Sequence, residues 1–116
     1  MKKFLAVFLG SAEAMDEWKT LDEAVRKERE RAGMMAWGEW MTENAESIVD
    51  QGAPLGKTKR VNSSGIDDIR NELGAYVVVQ AESHEEAAKL FVGHPHYTIF
   101  PGDRVEVMEC LPMPAM

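Results

Sequence analysis

The sequence predicts an α+β fold, a ferredoxin-like βαββαβ order with helices on one face of a single antiparallel sheet. Three observations predict it. An apolar run over 4–9, ended by Gly10, has the length of a buried strand, and a long helical pattern follows it. Residues 76–79 are aromatic and β-branched throughout, which is typical of a strand. A second helical pattern and an alternating strand over 104–110 complete the order.

Length and charge exclude several classes of protein. The chain has 116 residues, so we expect one domain spanning 1–116. Thirteen Lys and Arg against 20 Asp and Glu give a net charge of -7, which opposes binding to a nucleic-acid backbone. The one cysteine, Cys110, excludes an internal disulfide and a multi-cysteine metal site. We expect no cofactor, and a buried, inert Cys110.

The N-terminus resembles a secretory signal, because a basic start precedes an apolar run and a small-x-small pattern at 12–14. The apolar run is shorter than the roughly 7–15 residues that such a signal needs, so we interpret it as the first strand. No run approaches the roughly 18 apolar residues of a membrane span. We therefore expect a cytoplasmic protein with no membrane partner.

The first long helix is predicted from a capping box at 20–23, and its pattern continues to Asp50. Its apolar stripe follows spacings of three and four residues, at Met34, Trp37, Met41, Ala45 and Ile48. Gly52 is then predicted as the glycine that ends this helix, and Pro54 prevents its continuation.

The second half of the chain predicts shorter elements. Residues 55–61 are predicted as an edge strand, 62–65 as a turn, and 66–71 as a loop or a single helical turn. A second capping box at 83–86 begins a helix that ends near Gly93 and Pro95. The tail over 111–116 has no periodicity. In this order one face of the sheet has no helical cover, so we expect a homodimer.

Four pieces of the sequence resemble the YCII-related protein family, and together they cover essentially the whole chain. They are the apolar opening strand, Trp37-x-x-Trp40-Met41 leading to Asp50-Gln-Gly52, Leu73-Gly-Ala-Tyr76-Val-Val-Val-Gln-Ala81 leading to Glu85-Glu86-Ala87, and His94-Pro95 before Arg104-Val-Glu-Val107. The resemblance implies a dimeric α+β barrel.

The resemblance implies less about activity. Most members of the family have no assigned activity, and some related domains accompany extracytoplasmic sigma factors. One type removes chloride from a chlorinated hydroxyquinol with a His/acid pair. That histidine lies on the first long helix, but residues 21–52 contain no histidine here, although Asp50 could match the acid. The Asp-Gly-Pro-Phe motif of the sigma-linked branch is also absent, since Ser-Gly-Ile-Asp occupies 64–67. Whether the chain is an enzyme stays open.

His94, His96 and Tyr97 form the densest group of functional side chains. A His-x-His pair could supply a general base, contact a ligand, or offer two imidazoles to a metal. It could equally cap a helix and bond loop carbonyls. We expect no metal site, because a closed zinc site needs further ligands.

Aromatic and methionine side chains suggest a pocket. Trp37 is predicted in the core, whereas Trp40, with Trp18 and Tyr76, could form an aromatic wall, although core packing is the alternative. Methionines at 34, 35 and 41 could line a flexible apolar cavity or simply fill gaps.

Two functions follow from these candidates. One is the binding or transformation of a small apolar or aromatic molecule, with catalytic groups His94, His96 and Asp50 and ligand contacts Trp40, Tyr76 and Tyr97. The other is a non-catalytic dimeric module that binds another protein.

Overall fold

The computed structural model describes residues 1–115; Met116, the last residue of the predicted tail, lies outside them. The strands are β1 Lys2–Leu9, β2 Ile48–Pro54, β3 Thr58–Asn62, β4 Gly65–Ile69, β5 Leu73–Ala81 and β6 Arg104–Glu109. The helices are α1 Ala12–Lys19, α2 Glu23–Glu43, α3 His84–Lys89 and α4 Pro95–Thr98, with a 3₁₀ turn at Ala45–Ser47.

Four strands form one antiparallel sheet in the order β2-β5-β1-β6. Taken in chain order these are the first, second, third and fourth strands of a ferredoxin-like fold, and their spatial order 2-3-1-4 is that of the predicted βαββαβ arrangement. The α+β fold class is therefore confirmed. β3 and β4 form a separate antiparallel hairpin between β2 and β5, which we call the arm.

The core lies on one face of this sheet because side chains alternate along β1. Phe4, Ala6 and Phe8 are fully or almost fully buried, and they pack with Trp40 of α2 and with side chains of β5 and α3. The intervening side chains of β1 are half-buried. The opposite surface, which we call the open face, carries Leu5, Val7, Tyr76, Val78 and Met108, paired across β5, β1 and β6.

The first helical region divides into two helices. The Thr20 hydroxyl donates to the carbonyl of Glu17 at 2.6 Å and lies at the C-terminal end of α1. Asp22 is the N-cap of α2, because its side chain accepts from the backbone N–H of Ala24 at 3.2 Å. The predicted capping box at Thr20 is therefore wrong: the helix starts two residues later, where a carboxylate satisfies the free amide.

The prediction that this helix continues to Asp50 is also wrong. α2 ends at Glu43, where the Asn44 side-chain amide donates to the carbonyl of Trp40 at 2.9 Å. β2 then begins at Ile48 and pairs with β5. Gly52 lies inside β2 with a φ of 68°, at an irregular step in the register, and a Cβ there would overlap the carbonyl oxygen of Tyr76. It marks a strand bulge and not a helix end.

The later predictions agree better with the structure. Residues 76–79 lie within β5. Residues 58–61 of the predicted edge strand over 55–61 are extended, but they lie in the arm, and the edge of the four-stranded sheet beside β5 is β2. Ser83 caps α3 as predicted, since its side chain accepts from the backbone N–H of Glu86 at 3.1 Å. The region 66–71, predicted as a loop or helical turn, contains the extended residues of β4. Within residues 1–115, no helix has the length and apolar character that crossing a bilayer requires.

Candidate functional site

A cleft of about 1270 Å³ opens at the end of the sheet where β1 leads into α1. One wall comes from α2 and another from the loop that follows α4. The base of the arm and the chain that joins it to β2 and β5 form the remaining wall. The apolar side chains that line it include Phe8, Met15, Met34, Trp37, Met41 and Phe100, with Leu55, Ile69 and Leu73 on the side of the arm. Charged residues line the cleft as well, among them Lys57, Asp68, Arg70 and Glu72. The predicted methionine-lined cavity is thus formed by Met34 and Met41 of α2.

His96 is the histidine that lines this cleft. Its Nε2 lies 2.8 Å from the carbonyl oxygen of Leu9. Because a carbonyl only accepts, the ring proton is on Nε2. Burial lowers the pKa of His96, although hydrogen bonds to the backbone of Leu9 and Arg104 and the charge of Asp103 oppose this effect. His96 is therefore a neutral imidazole at pH 7 that β1 holds in position.

Two glycines permit this arrangement. A Cβ on Gly102 would overlap the imidazole ring of His96, and the Gly102 N–H also donates to the His96 carbonyl at 3.0 Å. A Cβ on Gly33 would meet the ring of Phe100. The absence of these side chains lets α4, which carries His96, and the following loop, which carries Phe100, approach β1 and α2 closely.

His94 lies behind the cleft wall. It is 1% exposed, and its ring contacts those of Phe8, Trp37 and Trp40 at centroid distances of 5.0, 4.5 and 4.8 Å. Its Nδ1 accepts from the backbone N–H of His96 at 3.0 Å, which makes it the N-cap of α4. Its Nε2 is buried without a hydrogen-bond partner. Burial, followed by the charge of His96, lowers the pKa of His94 to about 4.

The predicted aromatic wall of Trp40 and Tyr76 is not assembled. Trp40 is 8% exposed, and its Nε1 donates to the carbonyl of Leu90 at 2.8 Å, which fixes it in the core. Tyr76 pairs with Val7 and so presents its side chain on the open face, although its residue borders the cleft. Trp37, predicted as a core residue, packs on the core and also lines the cleft.

Tyr97 lies away from this cleft, beside a second cavity of about 370 Å³ between α3, α4 and β6. Its hydroxyl donates to the carbonyl of Phe91 at 2.6 Å and accepts from the N–H of Gly93 at 2.7 Å. These two bonds tie the turn between α3 and α4 together. The structure thus gives the His-x-His-Tyr sequence three different environments: core, cleft and turn.

Asp50 is exposed on β2. Its Oδ1 accepts from the backbone N–H of Gly52 at 2.8 Å, the step at which β2 bulges. Among the histidines and the carboxylate predicted as catalytic, the structure joins His94 to His96 by a direct hydrogen bond. Asp50 makes its hydrogen bond within its own strand. The carboxylate whose charge acts on His96 is Asp103.

With this geometry established, the chain can be compared with known proteins. No family model and no curated protein sequence matches it. Its fold matches a solved enzyme. This is the 5-chloro-2-hydroxyhydroquinone dehydrochlorinase TftG from Burkholderia phenoliruptrix AC1100, solved as a complex with 2,5-dihydroxybenzoquinone. The TM-score is 0.52 and the identity 16%, over 90% of this chain and 89% of that chain. The similarity at this identity shows a shared fold.

Sequence reasoning missed several residues of the cleft. Phe8 was visible as the end of a buried strand, but only the tertiary structure brings its ring to both His94 and His96, at centroid distances of 5.0 and 5.2 Å. Phe100 and Gly102 stand in a segment with turn chemistry, and nothing in their sequence indicates a ligand. Within residues 1–115, no group of three or more His, Cys, Asp or Glu side chains is arranged to hold a metal ion.

Proposed function

We propose that this chain is a YCII-related protein whose cleft binds a small planar cyclic molecule of the phenol or quinone type. The observation that carries the proposal is His96, a neutral imidazole that lines the cleft together with aromatic and methionine side chains, while charged residues such as Lys57 and Arg70 also line it. Ligand pockets of this class combine apolar walls with a few fixed polar groups, which is the composition found here.

The walls suit a flat ring. Trp37 and Phe8 provide aromatic surfaces, and their rings are 4.9 Å apart at an interplanar angle of 47°. Methionine side chains adapt to irregular apolar shapes and make favourable contacts between sulfur and an aromatic ring. A planar ligand would therefore bury its ring against these walls. Its hydroxyl or carbonyl groups would contact His96, and this contact would fix the orientation of the ligand.

His96 would also act as a proton acceptor. In its neutral form, with the proton on Nε2, the basic nitrogen is Nδ1. The lowered pKa keeps this nitrogen unprotonated at pH 7, so it can accept a hydrogen bond from a phenolic hydroxyl and serve as a general base, with the charge of Asp103 stabilising the ring when it takes up a proton.

The similarity in fold supports the proposal, because the dehydrochlorinase TftG was solved with 2,5-dihydroxybenzoquinone, a small planar ring. The alternative is a non-catalytic dimeric module, which the extensive exposed surface of the single chain favours. Homodimer formation and a cytoplasmic location stay predictions under either function.

Calorimetric titration with 2,5-dihydroxybenzoquinone tests the proposal. Cys110 is exposed, so the prediction that it is buried is wrong. Because quinones add to thiols, every variant should carry Cys110→Ser. We expect saturable binding that His96→Gln weakens by about tenfold, since one hydrogen bond contributes roughly 0.5–1.5 kcal/mol. His84→Gln is the matched control, because His84 is an exposed histidine bonded to a backbone carbonyl outside the cleft. Equal binding by the His96 and His84 variants, or no binding by the parent, would contradict the proposal.

A further inference from the structure

The arm has almost no support from the rest of the chain. Its two strands pack mainly against each other. Only Thr58 and Ile69, at its base, are half-buried, and the other residues of β3 and β4 are exposed. A two-stranded hairpin of this kind is at best marginally stable alone in water. The ion pairs Lys59–Asp68 and Arg60–Asp67 link its strands but are exposed, and such pairs contribute little.

The arm also carries apolar surface at its tip. Val61 and Ile66 are directly paired across the two strands and are 72% and 70% exposed. Paired β-branched side chains form a continuous apolar patch on one face of a hairpin. A patch of this kind on a projecting element is typical of a surface that packs against another molecule.

The whole chain exposes more surface than its mass requires. Its accessible area is 8195 Å², whereas a compact monomer of 13.0 kDa exposes about 6,300 Å². Its radius of gyration is 16.2 Å against about 13 Å for a compact chain of this length. The excess of about 1,900 Å² lies in the range that each subunit of an obligate homodimer buries.

The open face offers a second unpartnered apolar surface. Leu5, Val7 and Val78, all half-buried, form its centre, and β6 adds Met108, which is 41% exposed, and the exposed Glu106 opposite Val7. A sheet face built of such side chains needs cover, and a two-fold dimer supplies it with the same surface of a second chain. The size of the excess area therefore favours a second copy of this chain as the occupant.

The arm is also part of the cleft. Residues at its base and in the segments that connect it to the sheet, including Lys57, Thr58, Ile69 and Arg70, line the cleft opposite α2. At about 1270 Å³ the cleft is larger than the roughly 300–1,000 Å³ of ordinary ligand sites. A wall that belongs to a marginally stable hairpin will not hold a ligand tightly until the hairpin is fixed.

The sequence already predicts a homodimer that covers the open face. We propose that in this dimer the second copy also packs against the arm, and that fixing the arm in this way completes the ligand cleft. This rests on the proposed function, because it makes ligand affinity depend on dimer formation. The coupling is reciprocal: a ligand that binds the ordered arm more tightly must also strengthen the dimer. Typical couplings between sites correspond to changes of about 5- to 150-fold in affinity.

The test uses the full chain carrying Cys110→Ser. Sedimentation velocity should give twice the 13.0 kDa of one chain at micromolar concentration. The variant Val61→Asp/Ile66→Asp places two like charges on the arm tip, outside the residues that line the cleft. We expect this variant to be monomeric and to bind 2,5-dihydroxybenzoquinone about tenfold more weakly. Val25→Asp, at an exposed apolar position in the first turn of α2, is the matched control and should keep both properties.

A second measurement guards against misfolding of the tip variant. The parent protein should bind the quinone more weakly when it is diluted below its dimer dissociation constant. A parent that stays monomeric at high micromolar concentration overturns the proposal and leaves the exposed surface to another partner. If the parent is a dimer but its quinone affinity changes neither on dilution nor in the Val61→Asp/Ile66→Asp variant, the coupling is overturned. If the parent dimer does not bind the quinone, the proposed function and the coupling are both contradicted. The mass of the parent from sedimentation velocity still shows whether the interface between the two copies forms.

Discussion

Nδ1 of His94 accepts a hydrogen bond from the backbone N–H of His96 at 3.0 Å, so the buried histidine holds the backbone of the one that faces the cleft. The bond also fixes the tautomer of His94, because a ring nitrogen that accepts carries no proton. The proton is on the buried Nε2, which has no partner. Protonation of His94 would place a positive charge among the aromatic rings of Phe8, Trp37 and Trp40.

The first prediction concerns stability at acid pH. The pKa of His94 is about 4 in the folded chain and about 6.5 when unfolded. The unfolded chain therefore takes up a proton first as the pH falls, and we expect up to about 3 kcal/mol of stability to be lost between pH 6.5 and 4. The lowered pKa of His96 acts in the same direction. Urea unfolding at several pH values in this range should show that the free energy of unfolding falls less steeply with pH in His94→Gln than in the parent chain. An equal dependence on pH in the variant and the parent contradicts the assignment.

The second prediction separates the two tryptophans of α2. Trp40→Phe removes the donor to the Leu90 carbonyl and should lower the free energy of unfolding by about 1–3 kcal/mol, with little effect on quinone affinity. Trp37→Leu removes an aromatic wall of the cleft and should weaken binding several-fold, since aromatic pairs contribute about 0.5–1.5 kcal/mol. Calorimetry on the two variants measures both the free energy of unfolding and the quinone affinity. The reverse pattern would restore Trp40 as the ligand contact.

The third prediction concerns the glycine beside His96. Gly102→Ala places a methyl group on the imidazole ring, so we expect a loss of about 1–3 kcal/mol of stability together with weaker quinone binding. Gly38→Ala is the control, because a Cβ there meets no atom within 4 Å and the residue lies inside α2. That change should stabilise the chain by about 0.5–1 kcal/mol without altering binding. Thermal unfolding and titration of both variants decide the matter, and full affinity in Gly102→Ala would show that the His96 position is unimportant.

The fourth prediction addresses Asp50. Its Oδ1 supports the bulge at Gly52, and an amide oxygen can accept the same hydrogen bond. Asp50→Asn should therefore keep stability within about 0.5 kcal/mol, whereas Asp50→Ala should lose about 1 kcal/mol. Quinone binding should be equal in the two variants. If Asp50→Asn binds many-fold more weakly while staying folded, the carboxylate charge contributes to the site.

The sheet and its order were accessible from sequence because strong local signals marked its inner strands. The apolar run of β1 and the β-branched centre of β5 leave little alternative. β2 was missed for a physical reason. Ala45 and Ile48 continue the helical spacing of α2, so periodicity alone extends the helix past the point where the Asn44 side chain ends it. Gly52 has a positive φ, which occurs both at strand bulges and at helix ends, so the glycine alone could not distinguish the two.

The candidate site was predictable only in part. Spacing identified the histidines and the methionines as a group, and the structure places His96, Met34 and Met41 on one cleft. The spacing could not predict that His94 enters the core while His96 lines the cleft, since that depends on how α4 and the loop after it pack against β1. Likewise, residues three apart on a helix look alike in sequence, and only packing separates a buried Trp40 from Trp37.

The position of Trp37 also gives the molecule its own optical probe. Its indole stands at 90° to the His94 ring at 4.5 Å and borders the space where a ligand would lie. An imidazolium quenches indole emission at contact distance, and a bound quinone accepts energy and electrons from it. Acid titration and ligand titration would therefore both change the emission of Trp37. Trp37→Phe should remove the ligand signal, whereas Trp40, whose ring lies 4.8 Å from that of His94, would still report the acid titration, so the two processes can be followed without any added label.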